Sequence, residues 1–150
     1  MGPAQAIRTC FAKSLQSSGR ASRSEYWWFA AFVGILTTLT PAVALESSGH
    51  LTLNALVGLI MLTPVLSAGS RRFQDVSRSR WLFLALTLAT GIGFSLSFDL
   101  RTVKYYEVTA LQLLGFAATW FAGLWMFSIL IDAPSSGPNS YGPNPLEVTK

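Results

Sequence analysis

Charge is what this chain has least of. Only 12% of its 150 residues are Asp, Glu, Lys or Arg, about half the share of an ordinary soluble domain. A water-soluble protein of this size cannot cover its surface with so little. Histidine and cysteine are each present once, as His50 and Cys10. A single cysteine forms no intrachain disulfide, and its simplest role is that of a small apolar side chain. A single histidine, with no second histidine or cysteine on its side of the chain, excludes a bis-histidine haem and a zinc site within one copy. No metal and no cofactor is therefore expected. Ser47 and Ser48 lie beside His50, but a short polar turn needs such residues, and neither an orienting acid nor oxyanion donors accompany them. The chain is not expected to be an enzyme.

The charge is also missing from particular places. Four runs, 26–45, 51–69, 81–98 and 108–131, contain no Asp, Glu, Lys, Arg or His. At 1.5 Å rise per residue, runs of about 20 residues match a hydrocarbon core roughly 30 Å thick. A chain this short has too little protein to bury four such helices in a soluble core, and a membrane barrel needs alternating segments of about ten residues instead. The expected fold is all-α: a single domain over 1–150 with four transmembrane helices arranged as two hairpins, followed by a tail over 132–150. Nine Lys and Arg fall in 1–25, 70–80 and 132–150, whereas 46–50 and 99–107 hold only Arg101 and Lys104. The positive-inside rule then places both termini in the cytoplasm. Pro41-Ala42-Val43-Ala44 imitates a signal-peptide cleavage site, but the leading region of about 25 residues is long for one, and the segment is expected to stay. The lack of ionisable groups inside the runs removes the usual markers of proton relays and ion paths.

The membrane boundaries carry most of the remaining chemistry. In GRASRSEYWWF, residues 19–29, Arg20 and Arg23 stand where anionic headgroups begin, and Tyr26, Trp27 and Trp28 occupy the interface that amphipathic rings prefer. A second string, SRSRWLF at 77–83, repeats the order with Trp81. It marks either a parallel repeat of the hairpin or simply a second inside-facing helix start. Basic residues beside aromatics also occur in nucleic-acid binders. Here the aromatics run straight into membrane-length apolar sequence, so the expected partners are membrane lipids, anionic ones in particular, and not nucleic acid.

Between the two hairpins, SRRFQDVSRSR at 70–80 is expected to be a loop close to the headgroups. Bidentate arginine geometry favours pairs of Glu25 with Arg71 or Arg72, and of Asp75 with Arg20 or Arg23; the other reading is a solvated basic loop. Upstream, residues 4–18 put Ala4, Ile7, Cys10, Phe11 and Leu15 on one side of a short helix and Lys13 opposite, suited to lying on the inner leaflet; the other reading is a flexible leader. Within the bilayer, small residues four apart mark contact faces. Thr87, Gly91 and Ser95 on the third run, with Gly93 and Ser97 on an adjoining face, are expected to pack against Gly115, Thr119 and Gly123 on the fourth. Pro41 and Pro64 are expected to bend their helices or mark their ends. After Asp132 the chain holds four prolines and two glycines before Leu146, which excludes helix and sheet. Tyr141 among these turn residues points to an irregular tail folded back on the arginine-rich face, with Arg71 and Arg72 as its partners; the other reading is a disordered tail.

Taken in order, GRASRSEYWWF, RRFQDVSRSRW and GPNSYGPNP, spanning Gly19 to Pro145, resemble the pattern of a bacterial inner-membrane family known as domain of unknown function 805. The resemblance implies signature positions at Arg20, Arg23, Glu25, Arg71, Arg72, Asp75, Arg78, Trp81, Asn139, Tyr141 and Gly142. Phe73 and Gln74 stand where the family usually has Leu-His, and Arg80 where it has glycine, so a titrating histidine or a tight turn is not implied for that stretch. The family carries no established activity. The expected function is that of a small scaffold or accessory subunit in the inner membrane. Arg20, Arg23, Glu25, Arg71, Arg72, Asp75, Arg78, Asn139 and Tyr141 would form its cytoplasmic interaction cluster, binding anionic lipid, another membrane protein or a second copy. The alternative is a small transporter or channel built from the two hairpins. A lipid-modifying enzyme would require Glu25, Asp75 or Asp132 to line a headgroup-sized cavity.

Overall fold

The computed structural model describes residues 1–43, 50–97, 109–145 and 147. The expected outer loops, 46–50 and 99–107, with Ser47, Ser48, Arg101 and Lys104, lie outside the described residues except for the backbone of His50. Among the described residues five helices follow one another: α1 (Pro3–Ala12), α2 (Arg23–Val43), α3 (His50–Asp75), α4 (Arg80–Ser97) and α5 (Ala110–Ile131). Among the described residues there is no strand, only an isolated bridge between Asn139 and Gly142. The chain forms two compact units, one made of residues 1–80 with 133–150 and the other of residues 81–132.

Local chemistry sets the helix ends in the first unit. Proline at the start of α1 costs nothing, because its missing N–H is one that a helix N-terminus leaves unbonded anyway. The hydroxyl of Ser22 accepts from the Glu25 amide at 3.2 Å, so Ser22 caps α2, which begins three residues before the apolar run. α3 departs more from expectation. It passes through the buried Pro64 and continues to Asp75, so Pro64 marks no terminus and residues 70–75 are helical where a loop was expected. Nothing in SRRFQD breaks a helix, and arginine and glutamine favour one. The helix stops only where Ser77 turns to φ +58°. There the Ser77 amide donates to Gln74 O and the Arg78 amide to Phe73 O, the paired bonds of a Schellman end.

Packing in this unit joins α1 to α2 and α3. Cys10, Phe29 and Ala68 form a buried core with Ile7, Tyr26, Phe32, Val33 and Val65 around it. Phe11 meets Phe29 and Phe32 edge-on, with centroids 5.6 and 6.3 Å away, the geometry favoured by ring quadrupoles. The Ser67 hydroxyl lies 2.7 and 2.6 Å from the carbonyl oxygens of Lys13 and Gln16, tying the turn after α1 to α3. Leu15, expected to share the apolar side, is instead 88% exposed, because the helix ends at Ala12 before reaching it.

The second unit is an antiparallel helix pair. Thr109 and Gln112 form a reciprocal capping box at the start of α5. α4 and α5 are each long and apolar enough to cross a membrane, and most of each remains uncovered by protein. They meet at Gly93, Gly115 and Thr119: a Cβ on Gly93 would stand 2.8 Å from Gly115 O and 2.9 Å from Thr119 N. The expected contact is therefore corrected on α4, where Gly93 and Ser97, not Gly91 and Ser95, lie against α5. Gly91 and Gly123 would have open space around an added Cβ, and Ser95 is exposed. Both faces of α4 carry small residues four apart, so spacing alone does not distinguish them. Thr87 sits at the edge, its hydroxyl 3.7 Å from Met126 Sδ.

Candidate functional site

Five charged residues of the first unit, Arg20, Glu25, Arg71, Arg72 and Asp75, converge where α2 begins and α3 ends. A helix C-terminus leaves carbonyls without intrahelical partners and carries partial negative charge. Here, besides the local bonds of Ser77 and Arg78, carbonyls of the last turns of α3 accept from segments distant in sequence. The amide of Ala21 donates to Arg71 O at 3.2 Å, and the amide and hydroxyl of Ser135 donate to Asp75 O at 2.9 and 3.0 Å. The side-chain amide of Asn139 donates to Gln74 O at 2.9 Å. The tail thus caps α3.

Three arginines complete the arrangement. Arg20 Nε donates to Asp75 Oδ1 at 2.8 Å, while its two terminal nitrogens donate to Gly137 O and Ser135 O, both at 2.7 Å. Arg72 Nη1 reaches the other carboxylate oxygen of Asp75 at 2.5 Å, and Arg71 Nη1 reaches Glu25 Oε1 at 2.5 Å. The Arg20–Asp75 and Arg71–Glu25 pairs match the expected choice of partners, whereas Arg72, expected on Glu25 if anywhere, is on Asp75 instead; the setting also differs. Arg71, Arg72 and Asp75 are at most 1% exposed, Glu25 is 4% and Arg20 is 8%. These five do not form an open interaction surface; they form an internal clasp. Burial makes the pairing obligatory, since an unpaired charge there costs several kcal/mol. The Nε and Nη2 atoms of Arg71 are buried without a hydrogen-bond partner, so its tie to Glu25 carries the compensation of that charge.

Beneath the clasp lies Cys10, fully buried, its Sγ 4.0 Å from Glu25 Oε1. Burial pushes the thiol up to about 11, with Glu25 adding to the rise and Arg71 and Lys13 partly offsetting it. It is a neutral packing group at physiological pH.

The tail is ordered from within as well. Asn139 and Gly142 exchange amide–carbonyl bonds at 3.1 Å, and Asn139 Oδ1 accepts from the Tyr141 amide at 2.9 Å. This tight turn needs the positive φ of Gly142, +131°. The guanidinium seated among the tail carbonyls is that of Arg20, whereas Arg71, one of its two expected partners, is committed to Glu25.

Of the remaining expected residues, Arg23 and Arg78 are exposed, and Asn139 and Tyr141 are half-buried. Tyr26 and Trp27 are half-buried and stack edge-on at 5.4 Å, while Trp28 and Trp81 are exposed. The two Ser-Arg-Ser strings are not held alike, for Ser22 caps the start of α2 and Ser77 lies in the terminus of α3. Sequence reasoning missed the cap, although Ser22-x-x-Glu25 is its usual signature. It also missed Ser135, whose hydroxyl had no periodic context to mark it. Among the described residues, no three His, Cys, Asp or Glu side chains gather where they would hold a metal ion.

Comparison with curated proteins and with solved structures returns no match. The profile of a family described as a protein of unknown function, DUF805, matches residues 14–143, a span that takes in Arg20, the α3 terminus and the Asn139–Gly142 turn. The chain belongs to the DUF805 family.

Proposed function

We propose that this protein is a non-enzymatic, multi-pass protein of the bacterial inner membrane that serves as a small scaffold or accessory subunit. In this reading α2 and α3 join α4 and α5 in crossing the bilayer, giving four spans with both termini in the cytoplasm. α2 has 21 residues and α3 has 26. At 1.5 Å per residue α2 is about 30 Å long, and the polar last turns of α3 emerge beyond the lipid. The observation that carries the proposal is the clasp. Its carboxylates are consumed in buried pairs with arginine, which leaves them poorly placed for acid–base work and well placed to rigidify one end of the helices. A rigid cap beneath lipid-facing helices is what a scaffold needs to present those helices to a partner membrane protein or a second copy.

Purification in mild detergent from native membranes tests this reading. A stoichiometric membrane-protein partner or a stable oligomer is the expected result. A homogeneous monomer with nothing bound, in several mild detergents, would contradict it.

A further inference from the structure

The clasp buries Arg20, Arg71 and Arg72 together with two carboxylates. Both Glu25 and Asp75 are inside it, so among the described residues of this unit Glu147 is the one carboxylate left exposed, and it is turned back onto Gly137 N and Asn144 Nδ2 at 3.2 and 2.9 Å. Arg8, Lys13, Arg23 and Arg78 all remain exposed. The same unit also carries apolar side chains that the fold covers incompletely: Leu15 is 88% exposed, and Phe11, though it meets Phe29 and Phe32, is 39% exposed. Both stand within a few residues of Lys13, at the end of α1 that Ser67 ties to α3.

We infer that this surface binds the headgroups of an anionic lipid leaflet, with α1 lying on it and Leu15 and Phe11 entering the acyl boundary. Basic residues attract an anionic bilayer surface and protruding apolar residues partition into it; a helix carrying both lies in the interface. A nucleic acid would be matched by the arginines but not by the protruding leucine. A protein partner would not require the consistent sign. The inference rests on the membrane reading above and adds that the first unit distinguishes anionic from zwitterionic lipid.

The test uses the full chain in nanodiscs, either of phosphatidylcholine alone or of phosphatidylcholine with phosphatidylglycerol, each containing lipid-attached quencher. Leu15→Cys is labelled with a small fluorophore in a Cys10→Ser background. Quenching is expected to be at least roughly twofold stronger in the anionic discs. The difference should vanish at about 0.5 M salt, where charges are screened within a few ångströms. It should also vanish when Arg8, Lys13, Arg23 and Arg78 are all changed to Gln. Equal quenching in both lipids, or a difference that survives salt, would overturn the inference while leaving membrane insertion intact. A chain that did not elute with the discs at all would refute the membrane reading and the inference together.

Discussion

Replacing Arg20 by alanine should release the tail while leaving the helices in place. Three short charge-assisted bonds go with the side chain, to Asp75 Oδ1, Ser135 O and Gly137 O. Each such bond contributes about 1.5–3 kcal/mol when measured alone, but they are not additive, and Asp75 keeps Arg72 as a partner at 2.5 Å. A loss of about 3 kcal/mol is a fair sum, near the lower end for breaking a buried pair. What still holds the tail is Ser135 and Asn139 on the carbonyls of Asp75 and Gln74. A local cost of about 3 kcal/mol raises the detached population roughly a hundredfold. Tyr141 supplies a chymotrypsin site inside the turn. When opening is fast relative to cleavage, the rate of cutting there follows that population. Limited chymotrypsin digestion of the detergent-purified protein should therefore cut Arg20→Ala after Tyr141 about a hundredfold faster than the parent. Arg20→Lys should fall between them, because an ammonium cannot reproduce the planar fork. An unchanged cutting rate in Arg20→Ala would refute the reasoning.

Other outcomes follow from the same contacts. Glu25→Gln leaves the buried Arg71 without its carboxylate and should lower unfolding stability in detergent by about 3–5 kcal/mol, read by a thermal melt of tryptophan fluorescence; a change below 1 kcal/mol, on the same approximate scale, would speak against an obligatory pair. Gly115→Ala places a Cβ 2.8 Å from Gly93 O and should cost about 1–3 kcal/mol by overpacking, whereas Gly91→Ala and Gly123→Ala should be neutral or slightly stabilising. A common effect of all three in the same melt would contradict the assigned contact face. Cys10 should resist maleimide at pH 8 until the chain is denatured. Because its folded thiol is held above its unfolded value, near 9, stability from this group is intact below pH 9 and declines as pH rises towards about 11. Cys10→Ala should flatten that decline, and a Cys10→Ala profile identical to the parent's would show that the thiol does not contribute.

The helices were largely legible because their signals are local. Long uncharged runs reveal α4 and α5, and the Glu25–Arg71 and Asp75–Arg20 pairs followed from there being few carboxylates near many arginines, whereas the second arginine on Asp75, Arg72, did not. The last two turns of α3 were not legible: SRRFQD breaks the apolar pattern without breaking the helix, and charge was mistaken for a loop. The burial of the clasp was equally hidden, because it depends on Ala21 and, from the tail, Ser135 and Asn139 arriving from two distant parts of the chain to take carbonyls near the end of α3. No periodicity announces such convergence. The choice of Gly93 over Gly91 turned on which of two equivalent small-residue faces meets α5, a matter of helix rotation that spacing does not encode. Leu15 looked like part of an amphipathic face, but it lies beyond the last helical residue of α1.

The central claim is that α2 and α3 cross the bilayer with α4 and α5. Paired alkaline phosphatase and fluorescent-protein fusions after Ser48, Arg78, Lys104 and Lys150 test it most directly. Four spans with both ends inside predict phosphatase activity only at Ser48 and Lys104, and fluorescence only at Arg78 and Lys150. Fluorescence at Ser48 without phosphatase activity, with Lys104 still exported, would mean that only α4 and α5 cross, and would contradict the account.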